Sequence, residues 1–363
     1  MARRIQRIGI LTGGGDCPGL NAVIRAVAKA ALAGGLEVIG IEDGYLGLIE
    51  NRMRRLQNED VSNILTLGGT ILGASNKANP AKFAMPAPGG WEVRDVRQQV
   101  VEHVKAANLD VMVVIGGDGT MSGAAKLIDC GLDFVGVPKT IDNDLWATEI
   151  TFGHDSAVTT ATEAIDKVHT TASSHHRIMV VELMGRYAGW LALHAGVAGG
   201  ADVILMPEIP FDLDKVAAKC IDRSRHGKRF TIIAAGEGAI PKGGRQFVDR
   251  VDERSPDPIR LGGVAKYVAD QVEKRTGLES RAIVLGHVQR GGTPTPHDRI
   301  LATRFGYHAF GLIMQGRLNE VVVQQANQIS SVPIRDVADK VRTVPADCST
   351  VRAARAIGTS FGD

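Results

Sequence analysis

The sequence predicts an α/β protein built on mostly parallel sheet, and three observations predict it. Short runs rich in Val, Ile and Leu recur along the chain, each with the length and composition of a strand buried on both faces. Stretches of helical period separate most of these runs, and strand alternating with helix is the signature of a parallel sheet. Glycine is 43 of 363 residues, yet no segment is a Gly/Ser linker. The glycines stand instead at the ends of the apolar runs, where sharp turns from strand to helix need them. At roughly 100–200 residues per domain, the length predicts two domains, or at most three.

In order along the chain, residues 8–11 read as the first strand and 21–33 as a helix, with Val23, Val27 and Ala30 with Ala31 on one face. Strands follow at 38–41 and 111–115, then a helix at 121–129 and a strand at 134–137. Residues 156–170 carry Val158, Ala161, Ile165 and Val168 at helical period. Strands are expected at 178–181, 203–205, 231–234 and 282–285, and helices at 262–276 and 299–313. Residues 241–260, with Pro241, Gly243, Gly244, Pro256 and Pro258, keep neither period and read as an exposed excursion. It is either a tolerated surface insertion or a flap over a site. Breaks near 151–154 and 286–296 divide the chain into 1–153 plus about 286–320, and 154–285 plus about 321–363.

Composition removes whole classes of function. Lys+Arg 42 against Asp+Glu 40 leaves a charge of +2, too small a field to gather nucleic acid or an anionic membrane surface. No apolar run approaches the ~18 residues of a membrane span. The start Met1-Ala2-Arg3-Arg4 is basic, but no signal-peptide core follows it. Cys17, Cys130, Cys220 and Cys348 are scattered, without metal spacing, and read as reduced thiols of a cytoplasmic protein. His169, His175 and His176 lack partners at zinc spacing.

In parallel α/β sheets, ligands bind beyond the carboxyl ends of the strands, so the chemistry is sought just after each apolar run. The first strand runs into Thr12-Gly13-Gly14-Gly15-Asp16-Cys17-Pro18-Gly19 and then a helix. This reads either as a phosphate cradle, with free amides and a helix N-terminus, or as an ordinary tight turn. Neither the P-loop pattern nor the GxGxxG spacing is met. Residues 111–115 run into Gly116-Gly117-Asp118-Gly119-Thr120. A carboxylate among glycines suits phosphate carried with Mg²⁺, which takes one or two carboxylates, waters and substrate phosphates. Thr120 is expected to cap the next helix and to donate to a phosphate oxygen.

The third strand end is Pro138-Lys139-Thr140-Ile141-Asp142-Asn143-Asp144, whose paired carboxylates suit a general base with a metal or hydrogen-bonding partner, or else two solvated turn residues. Arg177, Arg186, Arg281 and Arg290 stand at strand boundaries, with His287 and Glu237. Such a set suits a phosphorylated sugar, cations for its phosphate and Glu for its hydroxyls, although isolated arginines are usually surface residues.

Ten strings, in order from about residue 5 to 315, resemble the 6-phosphofructokinase family: TGGGDCPGLNA, DGYLGL, GGTILG, VVIGGDGT, PKTIDND, EAIDKV, SSHHRI, MGRYAGW, GEGA and VLGHVQRGGTP. The resemblance implies two doubly wound parallel-sheet α/β domains with the active site between them, the first division binding nucleotide and the second sugar phosphate. It implies a homotetramer and phosphoryl transfer from ATP to O1 of fructose 6-phosphate. It sets Gly14, Gly15, Gly117, Gly119, Thr120 and Lys139 among the nucleotide phosphates, and Asp118 on Mg²⁺. Asp142 matches the general base, with Thr140 and Asp144 in its loop and Arg186 neutralising charge in the transition state. Met184, Gly185, Glu237, His287 and Arg290 would hold the sugar phosphate. Arg177 and Arg281 match arginines that reach the 6-phosphate from a neighbouring subunit, making a dimer the smallest competent unit.

The sequence departs from the family pattern in three places. Gly119 leaves open the space that an Asp closes in pyrophosphate-using members, which argues for ATP, whereas Lys139 is the residue pyrophosphate users carry. The combination resembles a third branch that includes ATP users, and steric access at Gly119 decides the expectation. The family's usual arginine after the GGTxLG turn is replaced by Asn76-Lys77, so Lys77 is expected to supply a point charge near the phosphates. Arg25 and Lys29 remain at the family's effector positions, but Asn58 and His169 stand where arginine is usual, so weak or altered control by ADP and phosphoenolpyruvate is expected.

The rival readings are a pyrophosphate-dependent enzyme and a kinase for a related acceptor such as sedoheptulose 7-phosphate. An NAD or lipid kinase would share GGDGT but not PKTIDND or GHVQRGG. A regulatory subunit without activity would have lost Asp118 or Asp142, and both are present.

Overall fold

The computed structural model describes residues 5–252, 255 and 257–363; the Met1–Arg4 start and Pro256 of the excursion lie outside them. From the N-terminus, strand β1 (Arg7–Thr12) leads to α1 (Leu20–Ala33), β2 (Glu37–Ile41), α2 (Tyr45–Glu50) and β3 (Met53–Leu56). A hairpin, β4 (Phe83–Ala87) and β5 (Gly90–Arg94), precedes α3 (Arg97–Ala106), β6 (Val111–Gly116), α4 (Asp118–Ile128) and β7 (Phe134–Pro138). Then come α5 (His154–His175), β8 (Ile178–Leu183), α6 (Trp190–Ala198), β9 (Val203–Leu205), α7 (Leu213–Arg225) and β10 (Thr231–Gly236). The excursion carries β11 (Val248–Val251) and β12 (Ile259–Leu261), followed by α8 (Val264–Thr276), β13 (Ser280–Val284) and a 3₁₀ turn over Gly286–Arg290. The chain closes with α9 (Pro296–Met314), β14 (Glu320–Gln325), β15 (Gln328–Pro333), α10 (Ile334–Val337) and α11 (Ser349–Ala356).

Two sheets carry the molecule. The larger has the order β15-β14-β7-β6-β1-β2-β3, parallel except for the antiparallel edges β3 and β15. Alternate residues of its strands enter separate cores, which is why the runs are apolar throughout. Ile8, Ile10, Val111, Val113 and Ile115 pack with α1 and α9. Leu11, Met112 and Val114 pack with α2, α3, α4 and α10 on the opposite face. The smaller sheet, β13-β8-β10-β9, is wholly parallel. Met179, Val181 and Leu183 face α5 and α6, whereas Ile178 and Val180 face α7 and α8. Both sheets are therefore doubly wound, as expected.

The strand order fixes where ligands can enter. From β1 the chain builds outward through β2 and β3, then returns to lay β6 on the other side of β1. It does the same about β8, placing β9 and β10 on one side and β13 on the other. Each reversal opens a crevice at the carboxyl ends of the strands beside it. The first crevice lies after β1 and β6, the second after β8 and β13.

Several expectations are corrected. Residues 241–260 are not without regular structure: β11 and β12 form an antiparallel ladder, Val251 opposite Ile259 and Val248 opposite Leu261. All four residues of β11 are exposed, so no alternation marked it. The expected second division begins its last part at about 321, yet β14 pairs parallel with β7 in the larger sheet, and β15 pairs with β14. Thr120 does not cap α4: the helix begins at Asp118 behind Gly117, and no side chain caps it. Helices α6 and α7 were not marked from the sequence at all.

Candidate active site

At the first crevice, the Gly13 N–H donates to Ile115 O (2.9 Å) and the Gly14 N–H to Ser75 O (3.2 Å), which holds the turn after β1 against the end of β6. The buried side chain of Thr120 fills the space between. A Cβ on Gly13 would stand 2.5 Å from Thr120 Cγ2, and one on Gly116 would stand 2.3 Å from Thr120 Cβ. Glycine at both positions is therefore a packing requirement. Gly14, at φ +75°, also needs the left-handed conformation that glycine adopts freely. Gly119 differs: no described atom lies within 4 Å of where its Cβ would be, so the space above it is open. Gly117 and Asp118 begin α4, whose dipole favours negative charge there.

Lys139, directly after β7, is buried, and its Nζ donates to Gly15 O (2.5 Å). Burial pushes its pKa down, and the neighbouring Arg290 guanidinium pushes the same way. Thr140 Oγ1 accepts the Asp142 N–H (3.0 Å). Asn143 takes φ +53° and is tied down by its own amide: Oδ1 accepts from Thr151 N (3.0 Å), and Nδ2 donates to Glu149 O (3.3 Å). His154 is buried and, pushed down to about 3, stays neutral at any ordinary pH. Its Nδ1 lies 2.6 Å from Ile141 O, and its Nε2 lies 2.8 Å from His194 Nδ1.

Asp142 sits among these groups, 6% exposed, with Oδ1 unpartnered among the described residues. Burial raises its pKa; Arg290, Arg186 and Lys139 pull it back, while Asp118 adds to the rise. Burial, with Asp142 and Asp118 nearby, pushes Asp144 up to about 7. Glu237, after β10, is pushed up to about 7 by burial and by Asp142.

The second crevice supplies the cations. Gly185, at φ +138°, turns the chain after β8; a Cβ there would stand 2.7 Å from Ala188 O. The Arg186 N–H donates to Glu237 Oε1 (3.1 Å), and the Arg186 side chain pairs with Asp257 of the excursion. Met184 packs, half-buried, against the core shared by α1 and α9. Arg290, ending the 3₁₀ turn, crosses to the first crevice: Nη1 reaches Asp16 O (3.4 Å), and a Cβ on Gly15 would stand 1.7 Å from it. The two crevices thus share one space.

Other predicted residues lie elsewhere. Asn76 and Lys77 are exposed, and Lys77 Nζ pairs with Asp252 Oδ2 (3.7 Å). His287 is exposed. Arg177 pairs with Glu279 (2.9 Å), and Arg281 pairs with Glu279 as well. Both arginines stand at the amino ends of β8 and β13, which pair in register from Ser280 opposite Ile178. Six residues of β8 separate Arg177 from the crevice, about 20 Å at ~3.3 Å per residue. At the expected effector positions, Lys29 Nζ donates to Asn58 Oδ1 (2.9 Å), and His169 Nε2 lies 2.9 Å from Gly199 O.

Sequence reasoning missed Asp252, Asp257, His154, His194 and Arg342. None belongs to a local pattern; Arg342 contacts Asn143 from 199 residues away. Among the described residues, no group of three or more His, Cys, Asp or Glu could hold a metal ion by itself. The donor set still fits Mg²⁺ that arrives with phosphate, since that ion needs only one or two protein carboxylates. Asp118, beside the open face of Gly119, would supply one. No helix of the described residues is long and apolar enough to cross a membrane.

The phosphofructokinase family model matches residues 7–313. The chain is 48% identical over 369 residues to an ATP-dependent 6-phosphofructokinase 2 of Clostridium perfringens, covering 100% of each. It is 46% identical to an ATP-dependent 6-phosphofructokinase of Chloroflexus aurantiacus, covering 100% of this chain and 99% of that one. It is also 48% identical to a pyrophosphate–fructose 6-phosphate 1-phosphotransferase of Amycolatopsis methanolica, covering 94% of this chain and 96% of the other. Among solved structures, phosphofructokinase from Pichia pastoris in the T-state superposes with a TM-score of 0.80 at 31% identity. That likeness covers 98% of this chain but only 37% of the longer yeast chain.

Proposed function

The chain belongs to the phosphofructokinase family, and from that premise we propose that it is an ATP-dependent 6-phosphofructokinase, moving the γ-phosphoryl group of ATP to O1 of fructose 6-phosphate. The observation that carries the site assignment is Asp142: a buried carboxylate with an unpartnered oxygen, ringed by Lys139, Arg186 and Arg290. Asp142 takes the proton of the O1 hydroxyl. Burial strengthens it as a base, and the three cations keep enough of it ionised to act. Thr140 fixes the loop's backbone at Asp142. Arg186 and Lys139 stabilise the charge on the transferring group, which is most of what phosphoryl transfer asks of a protein. Met184, Gly185, Glu237, His287 and Arg290 bind the sugar phosphate. Gly14, Gly15, Gly117, Gly119 and Thr120 receive the nucleotide phosphates at the N-terminus of α4, with Asn76 and Lys77 at the rim.

Asp118 would hold Mg²⁺, which supplies charge neutralisation between the phosphates of the donor. Arg177 and Arg281 serve a neighbouring copy in a cytoplasmic homotetramer, and their distance from their own chain's crevice supports that reading. Residues 1–153, with about 286–320 and the two strands up to 333, form the nucleotide division; 154–285 and the terminal residues form the sugar-phosphate division.

The open space over Gly119 supports ATP, because a nucleotide beyond the transferred phosphates needs it. Lys139 gives pyrophosphate a specific claim, as does the Amycolatopsis relative at equal identity. The test supplies fructose 6-phosphate and Mg²⁺ with ATP or pyrophosphate separately. Turnover with ATP is expected. Turnover with pyrophosphate alone would transfer donor choice from Gly119 to Lys139 and its loop. Sedoheptulose 7-phosphate in the same assay tests the acceptor.

A further inference from the structure

We propose that Arg342, in the C-terminal tail, is a positioning residue for the loop that carries Asp142, an inference that rests on the proposed reading of that loop. The tail crosses the site between two anchors. Val341 forms an antiparallel bridge with Leu145, beside the loop, and the Val344 N–H donates to Glu208 Oε1 (2.8 Å) in the second half of the molecule. Arg342 stands between them. Its Nη2 donates to Asn143 O (2.7 Å) and to Glu149 O (3.0 Å), and its backbone N–H donates to Asp144 O (2.7 Å). Two of these bonds hold the carbonyl groups of the two residues that follow Asp142, and the third ties the guanidinium to Glu149 at the loop's far end.

The guanidinium is itself fixed. It lies over the Trp190 ring, 4.1 Å from the centroid, and Trp190 Nε1 donates back to Arg342 O (3.0 Å). Trp190 opens α6, so the loop of one sheet is registered against a helix of the other. Asn143 needs such support, because its left-handed backbone, φ +53°, is held only by hydrogen bonds. A lysine would keep the charge and lose the planar guanidinium that stacks on the indole and so aims Nη2 at the two carbonyl oxygens.

Catalysis depends on the angle and distance at which Asp142 meets the hydroxyl, and misplacement by about 1 Å costs on the order of 100-fold. The experiment measures kcat and both KM values for full-length wild type, R342A, R342K and W190F, with melting temperatures as the check on folding. R342A is expected to lower kcat about 10- to 100-fold and leave KM for ATP within about twofold, since the nucleotide cradle is untouched. R342K should regain little of the loss, and W190F should fall between wild type and R342A. Wild-type kcat in folded R342A overturns the inference, as does a loss confined to KM for ATP. If R342A does not fold, wild-type kcat in both R342K and W190F overturns it. A wild type inactive with every donor and acceptor pair would remove the reading of the loop itself, whereas active wild type with unaltered variants removes this inference alone.

Discussion

Asp142, the proposed base, is set by opposing effects. Burial raises its pKa, three cations lower it, and one oxygen is left unpartnered. Asp142→Asn keeps the shape and removes the basic oxygen, so kcat should fall by about 10²–10⁴ while KM for fructose 6-phosphate changes little. Steady-state kinetics check this, and near-normal turnover would remove Asp142 from the role of base. Glu237 allows a second test. Its carboxyl is pushed up to about 7 in the folded protein from an unfolded value of 4.5. Between those values the native state holds a proton that the unfolded chain has released, so stability falls as pH rises through the window. Glu237→Gln removes that proton difference, and denaturation across pH 4.5–7 should show a flatter profile than wild type. Residues in glycine-rich strand ends were legible because geometry and chemistry coincide there within five or six positions. Arg342 and Asp257 were not, since tertiary folding alone brings Arg342 to the Asp142 loop and Asp257 to Arg186.

At the scale of elements, the hairpin of β11 and β12 has chemistry that its sequence concealed. Its period lapsed because β11 has no buried face. Two of its carboxylates nevertheless pair with cations of the predicted site, Asp257 with Arg186 and Asp252 with Lys77. On the proposed reading the phosphate groups of substrates take the same charges, and would then displace the carboxylates. The pairs are half-exposed, and such pairs contribute about 0.2–1 kcal/mol. Asp257→Asn should therefore raise kcat/KM for fructose 6-phosphate, and Asp252→Asn that for ATP, each by up to about fivefold. Unchanged kinetics would leave the hairpin as a surface insertion. The parallel strands, in contrast, were legible: a strand covered on both faces must be apolar throughout, as 111–115 and 178–181 are. Strand β15 escaped because it is the sheet edge, polar and partly exposed, and β14 because its buried apolar run is only Val321–Val323.

The whole molecule sets two sheet reversals against each other, so that Arg290, just beyond β13 of the smaller sheet, rests on Gly15, just beyond β1 of the larger. The same topology leaves Arg177 before the first residue of β8, about 20 Å from the crevice its own chain forms, and Arg281 near the start of β13, about 10 Å from it. An enzyme that uses these arginines on its substrate's 6-phosphate must take them from a second copy. Mixing two inactive variants tests this. An Asp142→Asn chain retains its arginines and lacks the base; an Arg177→Ala, Arg281→Ala chain retains the base and lacks the arginines. If subunits share sites across a two-fold interface, each hybrid pair contains one intact site and one doubly defective site. Random reassociation makes half of the pairs hybrid, so activity should recover to about one quarter of wild type. Sites complete within one chain would show no recovery, because neither variant supplies what its own crevice lacks. Recovery that appears only after dissociation and reassembly would tie the result to subunit exchange.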